Sequence, residues 1–209
     1  MKEIDWKQFL LDDHAEIKRL DYVVRYNSIP ALFQESVSQH SFWVTLYSCL
    51  LHNKISGDSG STYSELRILK KSLTHDIGEC VSGDLVRTFK YSSPEFKRAV
   101  DMAEETMVEK YLPLSIKNLI KSSQSQDAED EEYENAIVKA ADFISLFHFM
   151  YREHNRGNRE ITPFLNRMRS DMNRMAEKAY DGSDHGQILS GMYKSMVSLV
   201  LVPEENREV

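Results

Sequence analysis

The stretch "AIVKAADFISLFHFM", residues 136–150, decides the fold class of this chain. Its apolar residues recur at three-to-four spacing without a glycine or proline, which predicts a buried helix over about 133–153. Asp142 shares the face of Val138 and Phe149. Because a carboxylate among apolar side chains costs several kcal/mol unless a cation or donors compensate, Asp142 needs a partner.

Helical spacing recurs along most of the chain, and strand alternation with hairpin signals is missing. Ser64 and Ser93 are placed as helix N-caps, and Pro94 fits the first helical position. The acidic segment 122–134, "SSQSQDAEDEEYE", is predicted to be a mobile surface connector or a helix start. The chain is therefore predicted to be all-α, with one domain over 1–209. Further helices are expected over 5–26, 36–52, 160–180 and 185–201.

Composition limits the classes of function. The chain has 209 residues, 41% of them hydrophobic, and a formal net charge of -7. That charge disfavours a nucleic-acid polymer as partner, but it allows a small phosphorylated ligand held by one or two cations. Cys49 and Cys80 form no cysteine framework, and neither a signal peptide nor a transmembrane run is present. We expect a cytoplasmic protein with no membrane partner.

A second stretch, "LTHDIGECVSGDL" at residues 73–85, places His75 and Asp76 at the end of a helix. No separate basic residue is an obvious mate for the acid. The alternative is a surface helix terminus, where such a dyad occurs by chance. The apolar face of this helix is predicted to consist of Leu66, Leu69 and Leu73.

His40 lies on the inward face of the helix predicted over 36–52. Alone, it fits a core histidine better than a metal ligand. With His75, Asp76 and Asp142 it completes a set of two imidazoles and two carboxylates that suits a divalent transition metal. The alternative partner for Asp142 is an internal arginine.

Two further residues fit roles around such a metal. Glu79 follows His75 by four positions, so it faces the same side of a helix and suits general acid/base chemistry, unless it is an exposed helix-end acid. Arg25, beside Tyr26 on the inner side of the first predicted helix, is either a phosphate fork or an interhelical ion-pair partner.

The order of these motifs resembles the HD-domain phosphohydrolases, and within them the bacterial 5'-deoxynucleotidases. The similarity covers about Leu20 to Glu160. The stretches that carry it are "RYN" at 25–27, "SVSQHS" at 36–41, "HDIGECVSGDL" at 75–85, "KY" at 90–91, "KAAD" at 139–142 and "RGN" at 156–158.

The resemblance implies one divalent metal ion (Mn, Co, Mg or Zn) that polarises the phosphoryl group. Its ligands would be His40, His75, Asp76 and Asp142. Glu79 would transfer the proton, Arg25 would grip the phosphate, and Asp84 would contact substrate at the sugar hydroxyl. Tyr26 and Lys90 complete the expected substrate site, Lys90 only through its "KY" context.

The implied activity is removal of phosphate from deoxynucleoside 5'-monophosphates by a homodimer or higher homo-oligomer. The alternative with the same site is a deoxynucleoside triphosphate triphosphohydrolase, or an enzyme acting on a signalling nucleotide. A non-catalytic nucleotide sensor is disfavoured because all five metal and proton-transfer residues are present. Two features depart from the family pattern: Tyr26 replaces a common Trp, and "LVRTFKY" at 85–91 lacks the usual prolines.

Overall fold

The computed structural model describes residues 6–7, 16–56, 63–179 and 184–200, and within these ranges it contains no strand. The predicted all-α class is confirmed. The β-type backbone pairing among the described residues is limited to one isolated antiparallel bridge between Val24 and Ser36. The α-helices are α1 (Val37–Ser56), α2 (Glu65–Thr74), α3 (Glu79–Ser82), α4 (Arg87–Lys90), α5 (Pro94–Tyr111), α6 (Leu114–Lys121), α7 (Ala128–Asn155), α8 (Thr162–Ala179) and α9 (Asp184–Val200).

The helix predicted over 5–26 is wrong as one continuous helix: residues 6–7 are helical, but the part from residue 16 onward is not α-helical. A short 3-10 helix covers Ile17–Asp21, and the chain then leaves helical geometry, while residues 8–15 lie outside the described ranges. The cause is a pairing between segments distant in sequence. Val37 donates its N–H to the carbonyl of Val23 at 2.9 Å, which fixes the segment after the 3-10 helix against the start of α1.

Both predicted N-caps are confirmed. The Ser64 side chain accepts a hydrogen bond from the N–H of Arg67, and the Ser93 side chain accepts one from the N–H of Phe96. Each bond satisfies a donor that the first helical turn leaves without a partner. Pro94 occupies the first position of α5, as expected.

The predicted apolar face of α2 is wrong. Leu66 is 60% exposed and Leu73 is 53% exposed, whereas Ile68, Lys71 and Ser72 are buried. The helix is turned this way because Lys71 lies 3.2 Å from a carboxylate oxygen of the fully buried Glu134 on α7. Leu66 and Leu73 therefore face outward, while Leu69 is half-buried.

Helix α7 forms the centre of the fold and packs against α1, α2 and α8. It begins at Ala128, so much of the predicted connector at 122–134 is its first turns, capped by the side chain of Asp127. Tyr133 and Glu134 are buried rather than solvated. One core cluster surrounds α7, and a second smaller one joins the 3-10 helix to α3, with Leu20, Val37, Ile77, Cys80 and Leu112.

Two findings concern membrane spans and thiols. Within the described ranges, none of the helices has the length and apolarity needed to cross a bilayer. Cys49 and Cys80 are both free thiols, and Cys80 is buried.

Candidate active site

Four predicted ligand residues converge where α1, the end of α2 and the middle of α7 meet. The Nε2 atom of His40 lies 3.1 Å from Asp142 Oδ1 and 3.3 Å from His75 Nε2. His75 Nε2 is in turn 3.1 Å from Asp76 Oδ2. Ligand atoms of His40, His75 and Asp76 all lie within 4.8 Å of one another, as a shared metal ion requires. Asp142 joins this group through His40.

Each imidazole is oriented by a contact on its other nitrogen. His75 Nδ1 donates to the carbonyl of Ser72 at 2.7 Å, and His40 Nδ1 lies 3.0 Å from the hydroxyl of Ser145. These contacts aim both Nε2 atoms at the carboxylates. Partners of this kind fix ring orientation and tautomer in metal sites. Ser145 lies on α7 one turn after Asp142 and was not predicted to take part in the site.

Arg25 reaches the same cluster from a turn, not from a helix. Its N–H donates to the carbonyl of Glu35 at 2.8 Å, which ties the turn to the segment directly before α1. Its Nη1 donates to Asp76 Oδ2 at 2.8 Å, and Nη2 lies 4.0 Å from Asp142 Oδ1. Burial acts to lower the pKa of Arg25, but Tyr26 and the two aspartates raise it above its ordinary value. The guanidinium is therefore an ion-pair partner of the ligand carboxylates.

Tyr26 is held in a conformation that a non-glycine residue seldom adopts, with φ at 58°. Its ring stacks on Phe149 of α7 at 4.5 Å, and its N–H donates to Asp84 Oδ2 at 3.2 Å. Its hydroxyl is buried without a hydrogen-bond partner among the described residues. The stack and the hydrogen bond hold the strained turn that carries Arg25. Asp84 thus contacts the backbone next to Arg25.

Glu79 has the electrostatic character of a proton-transfer group. Burial first, and then the negative charge of Asp76, raise the pKa of Glu79 to about 8, while Arg25 opposes the shift. Its Oε2 is buried without a hydrogen-bond partner among the described residues. A carboxyl group that titrates near neutral pH suits general acid/base work.

The charges at the ligand cluster are those of a cation site. Burial acts to lower the pKa of His75, but Asp76 and then Asp142 outweigh it and raise the pKa to about 9. Burial acts to raise the pKa of Asp76, and His75 and Arg25 hold it well below its ordinary value. The Asp142 side chain is 44% exposed at the opening to solvent, yet burial still acts to raise its pKa, and His40, His75 and Arg25 outweigh burial and lower it. The donors, their spacing and their surplus of negative charge fit a divalent metal ion.

Lys90 is the predicted residue that the structure places apart from the ligands. Its Nζ lies 3.1 and 3.0 Å from the two carboxylate oxygens of Glu104 on α5. Its positive charge still acts on Glu79, whose pKa it lowers. Lys90 therefore lies at the edge of the site and is ion-paired with Glu104.

Glu153 and Asn158 were not predicted, and they hold the loop between Tyr26 and α1. Glu153 is fully buried on α7 and accepts the N–H groups of Leu32 and Phe33 at 2.7 and 3.0 Å. Asn158 Nδ2 donates both to Glu153 at 2.8 Å and to the carbonyl of Pro30 at 2.8 Å. Glu153 lies one turn after Phe149 on the apolar face of α7. Like Asp142, Glu153 is an acid on an apolar helical face, so its position in the sequence already indicates that it needs a partner.

Comparison with known proteins identifies the family of this chain. The family model described as "5'-deoxynucleotidase YfbR-like" matches residues 14–181. A 5'-deoxynucleotidase of Vibrio cholerae is 26% identical over 157 residues, covering 74% of this chain and 80% of that protein. One from Yersinia pestis is 27% identical over 155 residues, covering 70% of this chain and 76% of the relative.

Solved structures share the fold. An HD-domain phosphohydrolase from Listeria innocua superposes with a TM-score of 0.65 at 18% identity, covering 92% of this chain and 90% of that one. The HD phosphohydrolase DatZ of cyanophage S-2L, bound to dA and one catalytic Zn²⁺ ion, gives a TM-score of 0.58 at 13% identity, with coverages of 88% and 95%. At these identities the likeness shows the fold.

Proposed function

Since this chain belongs to the YfbR-like 5'-deoxynucleotidases and is a nucleotide phosphohydrolase of the HD type, we propose that it releases phosphate from deoxynucleoside 5'-monophosphates. The observation that carries the proposal is the ligand cluster with Arg25 bonded to it and Glu79 beside it. The name of the Vibrio cholerae relative and the dA held by DatZ support a deoxynucleotide substrate.

The metal is assigned to His40, His75, Asp76 and Asp142, with Mn, Co, Mg or Zn as candidates. A divalent ion there would supply the positive charge that polarises the phosphoryl oxygens and activates water. The Zn²⁺ in DatZ supports an ion of this class. Ser72 and Ser145 fix the orientation of the two imidazoles through their contacts with the Nδ1 atoms, which would leave the Nε2 atoms to hold the ion.

The remaining chemistry is assigned to the chain's own groups. Glu79 exchanges a proton with the water that attacks phosphorus or with the leaving oxygen, which its pKa of about 8 permits at neutral pH. Arg25 turns its planar guanidinium from Asp76 toward the phosphoryl oxygens. Asp84 and Tyr26 border the sugar, and the Tyr26 hydroxyl, buried without a described partner, is a donor for it.

Charge favours the monophosphate over the triphosphate. Of the cationic side chains described around the ligand cluster, Arg25 already contacts Asp76, and Lys90 is paired with Glu104. Glu79 and Asp84 add further carboxyl groups close by: burial and then the charge of Asp76 raise the pKa of both, and Asp84 raises the pKa of Glu79 further. A compact phosphate that one metal and one guanidinium can neutralise fits this balance better than a long polyphosphate.

The test is product analysis. Purified protein with Mn²⁺ or Co²⁺ is incubated with dAMP, AMP or dATP, and the released anions are separated by ion-exchange chromatography. We expect orthophosphate from dAMP and much less from AMP. Release of inorganic triphosphate from dATP as the faster reaction would overturn the monophosphate assignment and favour the triphosphohydrolase.

The setting of the enzyme is part of the same proposal. We assign it to the cytoplasm as a single domain, and its two free thiols suit a reducing compartment. We also assign it a homo-oligomeric state, with a homodimer as the simplest form.

A further inference from the structure

A cavity of about 480 Å³ opens between α7, α8, α9 and the residue before the Ser64 cap. Small-molecule sites in proteins usually have volumes of about 300–1,000 Å³, so this cavity can hold a compound of nucleotide size. The described residues that line it include none of those assigned to the metal, the proton transfer or the substrate. It is therefore a second space in the molecule, separate from the candidate active site.

Aromatic and aliphatic side chains form the apolar walls of the cavity. The partly exposed Tyr63 ring stacks on the buried ring of Tyr133, with the two centroids 3.8 Å apart and an angle of 14° between the planes. Met175 of α8 and Leu189 of α9 add aliphatic surface. Tyrosine rings stack well with other flat rings, including nucleic-acid bases. The walls thus favour a ligand with a flat ring system.

The charged groups of the cavity are separated along α7. Glu129 and Glu132 line it from the first turns of this helix, and Lys139 lines it two turns after Glu132. Since an α-helix rises about 1.5 Å per residue, Lys139 lies roughly 10 Å from Glu132 along the axis. Lys178 of α8 adds a second cation to the lining. Along α7 the cavity therefore runs from two acids to a lysine.

The two lysines are available for an anion. Lys139 and Lys178 have no ion-pair partner within the part of the chain that the structure describes, whereas Lys71 and Lys90 each contact a glutamate. Two like charges on one small cavity repel each other, and an anion between them removes that repulsion. The flexible lysine stems allow both ammonium groups to reach the same anion.

The two acids at the other end favour a different part of a ligand. Carboxylates accept hydrogen bonds and repel anions, so Glu129 and Glu132 suit N–H donors such as an amino group on a ring. The fitting ligand thus has a flat ring that bears N–H donors and an anionic group roughly 10 Å away. A nucleoside monophosphate with an amino-bearing base has these features in this order.

We propose that this cavity is a second, non-catalytic site that binds a nucleoside monophosphate whose base carries an amino group. The base stacks on Tyr63 and donates to Glu129 or Glu132, and the phosphate binds Lys139 and Lys178. A single phosphate matches the charge of two lysines. The site uses none of the residues assigned to the reaction, so it does not depend on the proposed substrate.

The experiment counts nucleotide sites by isothermal titration calorimetry on the full chain with Mn²⁺. The titrant is the 5'-methylenephosphonate analogue of dAMP, in which a CH₂ group replaces the ester oxygen, so it cannot be hydrolysed there. We expect two sites per chain. Lys139→Glu and Lys178→Glu should each weaken one of them at least about 10-fold, because a charge-assisted hydrogen bond is replaced by repulsion. Lys194→Glu is the matched control, since Lys194 is exposed on α9 directly after Tyr193 but does not line the cavity.

Two further variants locate the two binding events. Asp76→Ala should remove the event at the metal cluster and leave the other unchanged, because Asp76 lies outside the cavity. Ala136→Trp keeps every charge but fills the cavity with an indole ring, so it should abolish the cavity event. Circular dichroism shows whether each variant is folded. If Ala136→Trp does not fold, the two exposed lysines decide.

Two outcomes would overturn the proposal. One is a chain that binds the analogue only at a site that Asp76→Ala removes and the lysine variants leave intact. The other is an event that the lysine variants lose and a folded Ala136→Trp keeps, because the ligand would then lie on the surface outside the cavity. Failure of the proposed substrate would instead remove only the Asp76-dependent event, so the two failures are distinguishable.

Discussion

The helices α2 and α7 pack against each other along their length, and charged groups join them at both ends with opposite results. At the first end, Arg67 and Lys71 of α2 meet Asp130 and Glu134 of α7, with Arg67 donating to the two acids at 2.6 and 2.7 Å. Each acid there has a cation from the neighbouring helix. The buried charges are thus compensated within the chain.

At the second end the chain supplies too few cations. Asp76 and Asp142 share Arg25, and Glu79 lies close enough for Asp76 to raise its pKa. His75 responds by holding a proton up to a pKa of about 9. We call the first ion network closed, because each of its acids has a cation from the neighbouring helix. We call the second network open, because its carboxylates need a cation from outside the chain. The need for an outside cation indicates that the open end is the functional one.

The largest effect is expected from removing an acid at the open end. Asp76→Ala removes a ligand atom that lies 3.1 Å from His75 Nε2, so bound metal and phosphohydrolase activity should both fall to background. Metal content is measured by mass spectrometry of the dialysed protein, and activity by phosphate release from dAMP.

The matched control lies at the closed end of the same two helices. Asp130→Ala also deletes an aspartate bonded to an arginine, here Arg67 at 2.6 Å. It should keep a full complement of metal and wild-type turnover. If Asp76→Ala retained metal, or if Asp130→Ala lost it, the assignment of open and closed ends would be wrong.

The sequence predicted the open end because its polar residues interrupt apolar helical faces. His40, His75 and Asp142 were each found by position on a helix, a signal that survives without knowledge of tertiary contacts. Arg25 was predicted to lie in the site, where the structure places it, but it was predicted to lie on a helix that does not form there. It sits in a turn fixed by pairing of Val23 with Val37, and no local pattern reports such a distant contact.

The sequence failed on α2 for a related reason. Leucines at helical spacing indicate an apolar face, but they do not say whether that face meets the chain's own core. In α2 the ion network with Glu134 turns Lys71 inward and leaves Leu66 and Leu73 outside. A lysine that is buried by an ion pair with another helix cannot be read from periodicity alone.

An effect of intermediate size, on the unfolding free energy, is expected from removing the buried acid of the closed network. Glu134 is fully buried and lies 2.7 Å from Arg67 Nε and 3.2 Å from Lys71 Nζ. Glu134→Ala leaves both cations without this partner, which should cost about 3–5 kcal/mol of unfolding free energy. The melting temperature should fall by roughly 6–20 °C, measured by calorimetry with metal present.

This loss should come from two cations that keep only their partly exposed partners, Asp130 and Glu131, and not from the missing attraction as such. Replacing Glu134 together with both cations, Glu134→Leu with Arg67→Met and Lys71→Met, should recover much of the melting temperature. Metal content should stay at the wild-type level in both variants. A Glu134→Ala protein with unchanged melting temperature would show that the closed end contributes nothing to the fold.

The smallest effect is expected on the pH dependence of the melting temperature in metal-free protein. Burial and the charge of Asp76 raise the pKa of Glu79 to about 8 from an ordinary 4.5, so the folded protein binds a proton there that the unfolded chain has released. Between these two values the native state holds more protons, and the Glu79 contribution to stability falls as pH rises.

Glu79→Gln removes this pH dependence of stability. In chelator-treated protein the variant should melt with the wild type at pH 4.5 and above it at pH 8, by about 2–4 °C for each kcal/mol. His40 and His75 are present in both proteins, so their titration cancels in the difference between the two melting temperatures. Glu132→Gln on the exposed side of α7 is the control, and its melting temperature should differ from the wild type by the same amount at both pH values. Saturating Mn²⁺ should shrink the difference because the ion offsets the charge of Asp76. A difference that stays constant with pH, or that Mn²⁺ leaves untouched, would mean that Glu79 does not share the charge imbalance of the open end.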